Sequence, residues 1–102
     1  MNIEIFYQAL DNFFMEKKID KAELFLKDTL SAAEAAEDFG LIIAACNELG
    51  GLYRVLSRYD EGMPLYEKAL ESLRRIGAAD SENYATTLIN YATILSMTGR
   101  GA

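Results

Sequence analysis

A chain of 102 residues with 51% hydrophobic and 25% charged side chains reads as one ordinary globular domain, not a disordered one. Its net charge of −6 resides wholly in residues 1–50, which carry ten acids and four bases, and that balance disfavours a nucleic-acid partner. No apolar run approaches the roughly 20 residues needed to cross a bilayer. The opening MNIEIFYQALDNFF has acids where a secretory leader has bases, and Cys46 is the single cysteine, so no internal disulfide forms. The chain reads as cytoplasmic, with no membrane and no nucleic acid among its partners.

Apolar spacing gives five helices and no strand. The first covers about residues 3–16, with Ile3, Phe6, Tyr7, Leu10, Phe13 and Phe14 on one side. Lys17-Lys18 connects it to a second helix, about 19–37, that buries Ala22, Phe25, Leu26, Thr29, Leu30 and Ala33. Gly40 breaks the pattern, as a glycine just past a helix end often does. The third helix, about 41–56, packs through Ile42, Ala45, Cys46, Leu49, Leu52, Tyr53 and Leu56. After the tight joint Ser57-Arg58, a fourth helix covers about 60–76 and turns Met63, Tyr66, Ala69, Leu70 and Leu73 inward. Pro64 places the start of that helix near Asp60, because a proline in the first turn or so gives up no amide that a helix would use. Gly77-Ala78-Ala79-Asp80 is the longest loop. The fifth helix, about 81–98, presents Tyr84, Leu88, Tyr91, Ala92 and Leu95, leaving Ile89, Ile94 and Met97 outside its main core line.

These helices pair as first with second and third with fourth, the fifth standing alone, and short connections make paired neighbours antiparallel. Leu49-Gly50 followed by Tyr53 recurs 42 residues later as Tyr91-Ala92 followed by Leu95. A fixed offset of this length marks helix pairs that stack into an α-solenoid. The fold class is therefore all-α, a single domain over residues 1–102, with one unit at about 3–37, a second at about 41–76 and a half unit at about 81–98.

At these residues the chain resembles the tetratricopeptide repeat family. Leu49-Gly50-x-x-Tyr53 supplies the first half of its pattern, and Gly62, Tyr66 and Ala69 the second. Gly62 stands for the usual alanine and Tyr66 for the usual phenylalanine; Cys46 replaces the tryptophan, and the closing proline is absent. The stretch 61–71 with its early proline, and 85–92 leading to Gly99-Arg100, look like the longer kinesin-light-chain type of the repeat, whose extended helices suit an offset of 42. The amino-terminal pair fits only by pattern: Ala22, Leu26 and Thr29 stand 40 residues before Gly62, Tyr66 and Ala69.

Nothing in the sequence points to catalysis or to a cofactor or metal. There is no histidine. Glu34 and Asp38 share an exposed turn, Cys46 has no base beside it, and Gly50-Gly51 lies inside a helix and is no phosphate loop. The resemblance implies instead a non-catalytic module holding a peptide of a partner protein in a concave groove lined by the first helix of each pair. On the third helix that stripe contains Ala44, Asn47, Glu48, Gly51, Arg54, Val55 and Arg58; on the fifth, Thr86, Asn90, Thr93 and Met97; on the first, Glu4, Tyr7, Gln8, Asp11 and Met15. Tyr7, Asp11, Asn47, Gly51, Arg54, Asn90 and Thr93 are the expected peptide contacts. Asn47 and Asn90 can donate to and accept from a peptide backbone, Arg54 offers a fork for a carboxylate, and Gly51 leaves room for a ligand. The alternatives are a scaffold that self-associates through its carboxy-terminal helix and a sensor or regulatory part of a larger bacterial protein. The apolar residues left outside the fifth helix's core line favour a fragment of a longer array, or self-association there, over a natural cap.

Overall fold

A left-handed backbone residue recurs every 20 positions in the computed structural model, which describes residues 1–99: Lys17, Glu37, Ser57 and Gly77 have φ between 52° and 77°. Each closes a helix in the same way. The amide after it donates five residues back, Lys18 to Phe13 at 2.8 Å, Asp38 to Ala33 at 2.9 Å, Arg58 to Tyr53 at 2.7 Å and Ala78 to Leu73 at 2.8 Å. These joints separate α1 (Ile3–Met15), α2 (Ile19–Ala35), α3 (Phe39–Val55), α4 (Tyr59–Arg75) and α5 (Glu82–Thr98). The expected helix ends lie within two residues of these.

The joints also correct two expectations. Gly40 ends no helix; it is the second residue of α3, and the left-handed turn falls on Glu37. Pro64 is the sixth residue of α4, beyond the four amides that lack helical acceptors, so its ring does remove one donor from the ladder. From α2 to α5 every helix has 17 residues. The sequence offset of 42, against 40 for the amino-terminal pair, therefore comes from the longer α4–α5 connection and not from longer helices.

α3 occupies the centre. It packs against α2 and α4 and also touches α1 and α5, whereas α1 and α5 do not meet among the described residues. That position explains why Leu41 through Cys46 are all buried, Ile43 and Ala44 included, although only one face was expected to be. Leu56, expected in the core, is exposed. The Cys46 thiol is enclosed, and burial pushes its pKa up to about 12, so it is a thiol and not a thiolate at neutral pH.

Two close fits set how α4 sits. Its Tyr66 ring lies against α3 at Gly50, where a methyl group would come within 3.1–3.2 Å of the ring carbons. At Gly62, a methyl would stand 2.6 Å from Cδ1 of Ile94. The departure from alanine at Gly62 thus makes the hole that Ile94 fills.

Ile94 is fully buried, and so is Thr87, while Leu88 is 43% exposed and Ala92 is exposed too. The face of α5 expected in the core is therefore rotated. The 42-residue match equates Leu88 and Ala92 with Cys46 and Gly50, the α3 residues turned toward the following helix α4. The buried face of α5 is the one turned back toward the preceding helix.

A charged cluster ties α2, α3 and α4 together. Glu23 accepts from Tyr53 Oη at 2.7 Å and from both terminal nitrogens of Arg58 at 3.0 Å, with Lys27 at 3.2 Å. Arg58 also donates to Glu61 at 2.6 and 2.8 Å and lies over the Tyr53 ring. The Arg58 bonds, then the Tyr53 bond, hold the Glu23 carboxyl down to about 2 from its ordinary 4.5. Among the described residues no helix is long and apolar enough to cross a membrane.

Because its folded pKa is depressed, Glu23 stabilises the fold fully above about pH 4.5, and that contribution is lost as pH falls toward 2. Glu23→Gln should lower stability at pH 7 by about 1–2 kcal/mol and flatten the loss between pH 4.5 and 2, read from urea unfolding at several pH values. A non-glycine left-handed residue costs roughly 1 kcal/mol, so Glu37→Gly should raise the thermal midpoint by several degrees. A lowered midpoint would contradict the joint geometry.

Candidate functional site

The helices of one side, α1, α3 and α5, enclose a hollow of about 630 Å³ whose floor is reached by α4. Its walls are Tyr7 and Phe14 of α1, Ile19 at the start of α2, and Asn47, Glu48, Gly51, Leu52, Arg54 and Val55 of α3. Asn83, Thr86, Thr87 and Asn90 of α5 close it, and Tyr66 of α4 lies beneath.

Five of the seven expected contacts thus meet in one place: Tyr7, Asn47, Gly51, Arg54 and Asn90. Asp11 and Thr93 are not in the lining. Thr93 turns its hydroxyl onto its own helix, donating to the Ile89 carbonyl at 2.9 Å. Asp11 is exposed beside the hollow, near enough that its charge acts on Glu48. Of the wider stripe, Glu48, Val55 and Thr86 line the hollow. Ala44 is buried, and Arg58 is taken up by Glu23 and Glu61.

The polar groups here fall into two kinds. Asn47 is half engaged, its Oδ1 accepting from Thr87 Oγ1 at 3.3 Å, while Thr87 also donates to the Asn83 carbonyl at 2.8 Å. Tyr66 Oη and Arg54 Nε are enclosed and have no hydrogen-bond partner among the described residues. A buried donor left unmade costs about 1–3 kcal/mol, so native folds seldom keep one without a use. Tyr66 is a residue that the sequence alone assigned only to the core. The signal was its departure from phenylalanine: the ring fills the same space, and the added hydroxyl needs a partner.

Gly51 connects that hydroxyl to the hollow. The nearest atom a methyl there would meet is Tyr66 Oη, at 3.8 Å, which is ordinary contact. Glycine at this position is therefore not required by packing, unlike Gly50 one residue earlier. It leaves the approach to Tyr66 open. Electrostatically the site is divided along α3. Burial, then the Asp11 carboxylate, push the Glu48 pKa up, and burial, then Glu48, push the Tyr7 phenol up.

An all-helical stack in which each helix meets its near neighbours, with a hollow along one side, is the architecture of helical-repeat binding proteins. The family model for the tetratricopeptide repeat matches residues 41–100, more than half of the chain, and the protein belongs to that family. No curated protein and no solved structure matches it. Repeats of this family are in general non-catalytic protein-interaction modules.

Gly51→Ala should stabilise the free protein by about 0.5–1 kcal/mol, since alanine is the better helix former and the methyl fits. Gly50→Ala, where the methyl presses on the Tyr66 ring, should give no such gain. Thermal unfolding followed by circular dichroism separates the two.

Proposed function

We propose that the hollow holds an extended peptide segment of a partner protein. The observation that carries this reading is a pair of enclosed groups without a partner among the described residues, Tyr66 Oη and Arg54 Nε, at a site lined by three asparagines. Asn47 and Asn90 contact the peptide backbone, each able to satisfy one amide and one carbonyl. Tyr66 and Arg54 find in the occupant the partners they lack. Phe14, Ile19, Leu52 and Val55 supply apolar contact at the other side of the seat. Asp11 acts from the rim by charge.

A second reading is favoured by a different surface. Ile89 and Met97 of α5 are 66% and 57% exposed, next to the exposed Leu88. An apolar strip of this kind suits self-association, making the chain a scaffold segment. The finer kinship with the long kinesin-light-chain type of repeat is likewise a proposal, supported by the match of 61–71 and 85–92.

Peptides selected on the wild-type protein from a random display library test the first reading. Asn47→Ala with Asn90→Ala should weaken the selected peptides at least tenfold while leaving the thermal midpoint within a few degrees. Selection that yields no peptide sensitive to this pair would refute the groove. Light scattering over a range of concentrations tests the second reading, with Ile89→Ser expected to abolish any association.

A further inference from the structure

The hollow carries opposite charges at its two ends, and neither is neutralised by another described residue. Glu48 and Arg54 both line it, and among the described residues neither forms an ion pair or hydrogen bond. The other cations near α3 are committed elsewhere: Arg58 to Glu23 and Glu61, Lys68 to Glu34. Asp11 stands at the Glu48 end and reinforces its negative character, while Tyr7 beside it is a neutral phenol. They leave the Arg54 end to a single guanidinium whose Nε is enclosed and empty-handed.

The separation is set by the helix. Arg54 is six positions after Glu48 on α3, about 9 Å along its axis at 1.5 Å per residue. An extended peptide covers that distance in two to three residues at about 3.3–3.6 Å each. The fully buried Tyr66, its hydroxyl unpartnered beneath Gly51, lies between the two charged positions in chain level. It is a neutral donor and acceptor placed for the backbone between the peptide's two charged side chains.

Resting on the reading of the hollow as a peptide seat, we propose that it selects segments with a lysine or arginine against Glu48 and Asp11 and an acidic side chain two or three residues away against Arg54. The backbone contacts at Asn47 and Asn90 hold the direction in which the peptide lies, so the order of its charges matters. A segment with the reverse order places like charges together at both ends and is rejected. The partner is thus a protein segment of mixed charge and defined polarity, not a uniformly acidic tail and not a uniformly basic one.

The test uses the full chain and short peptides, acetylated and amidated so that their termini carry no charge, with affinity read by fluorescence anisotropy. Library selection should yield a basic and an acidic position at the stated spacing, and exchanging the two residues should weaken binding at least tenfold. Glu48→Gln should erase the preference at the basic position alone, and Arg54→Gln that at the acidic position alone. Glu48→Arg combined with Arg54→Glu should prefer the exchanged peptide. Circular dichroism melting confirms that each variant is folded, and the single glutamine variants carry the test if the double reversal is not. Selected peptides that depend on Asn47 and Asn90 but show no charge order overturn this inference and leave the peptide seat standing. Binding indifferent to the asparagines overturns both. Concentration-dependent association abolished by Arg54→Gln overturns it as well, since a second copy then fills the hollow.

Discussion

The ring of Tyr66 rests on bare backbone at Gly50, and no side chain could stand between them. This contact brings α4 close against α3, and a fully buried aromatic at that point anchors the packing of Met63, Ile94 and the partly buried Tyr91 around it. It also fixes where the hydroxyl must go. With the ring held against α3, Oη lies enclosed beside Gly51, beneath the floor of the hollow. One residue therefore belongs both to the core and to the site. A phenylalanine would serve the first role and leave the second empty.

Around that contact, α3 acts as a wedge. Two of its sides are covered by α2 and α4, and its edges meet α1 and α5, which is why its first two turns are apolar on nearly every side. Its remaining stripe, Asn47 to Val55, has no helix upon it. The polar character of that stripe is not a leftover surface, because its flanks are walled by α1 and α5. A small residue lets one wall approach: Gly62 of α4 beneath Ile94 of α5. The Glu23–Arg58–Tyr53 cluster braces the same three helices through charge, so the wedge is held by both packing and ion pairing.

The five helices, their antiparallel order and most of the core were legible because burial follows helical spacing in α2 and α4 with few exceptions. Legibility ended in three places for physical reasons. In α3 a helix with neighbours on several sides has no single apolar face, so Ile43 and Ala44 gave no sign of burial. In α5 the match to α3 identified the face meant for a following helix, whereas Ile94 meets α4 at Gly62 and Thr87 reaches Asn47 of α3. At the joints a left-handed turn is set by the five-residue backbone bond, and lysine, glutamate and serine adopt it without the glycine that a sequence reading looks for. In the hollow, Asn47, Arg54 and Asn90 could be read because they are polar residues on a helix side opposite the core. Phe14, Ile19 and Leu52 could not, because an apolar lining is indistinguishable in sequence from an apolar core.

The wall supplied by α1 is lightly anchored. Among the described residues, Phe6 and Leu10 are the buried residues of that helix, and it meets α2 and α3. Segments with few enclosed contacts open far more often than the molecule as a whole. Anything seated against Tyr7 and Phe14 binds only while α1 is docked, so occupancy and undocking of α1 are thermodynamically coupled. The exchange rate of the α1 amides becomes a gauge of whether the hollow is filled.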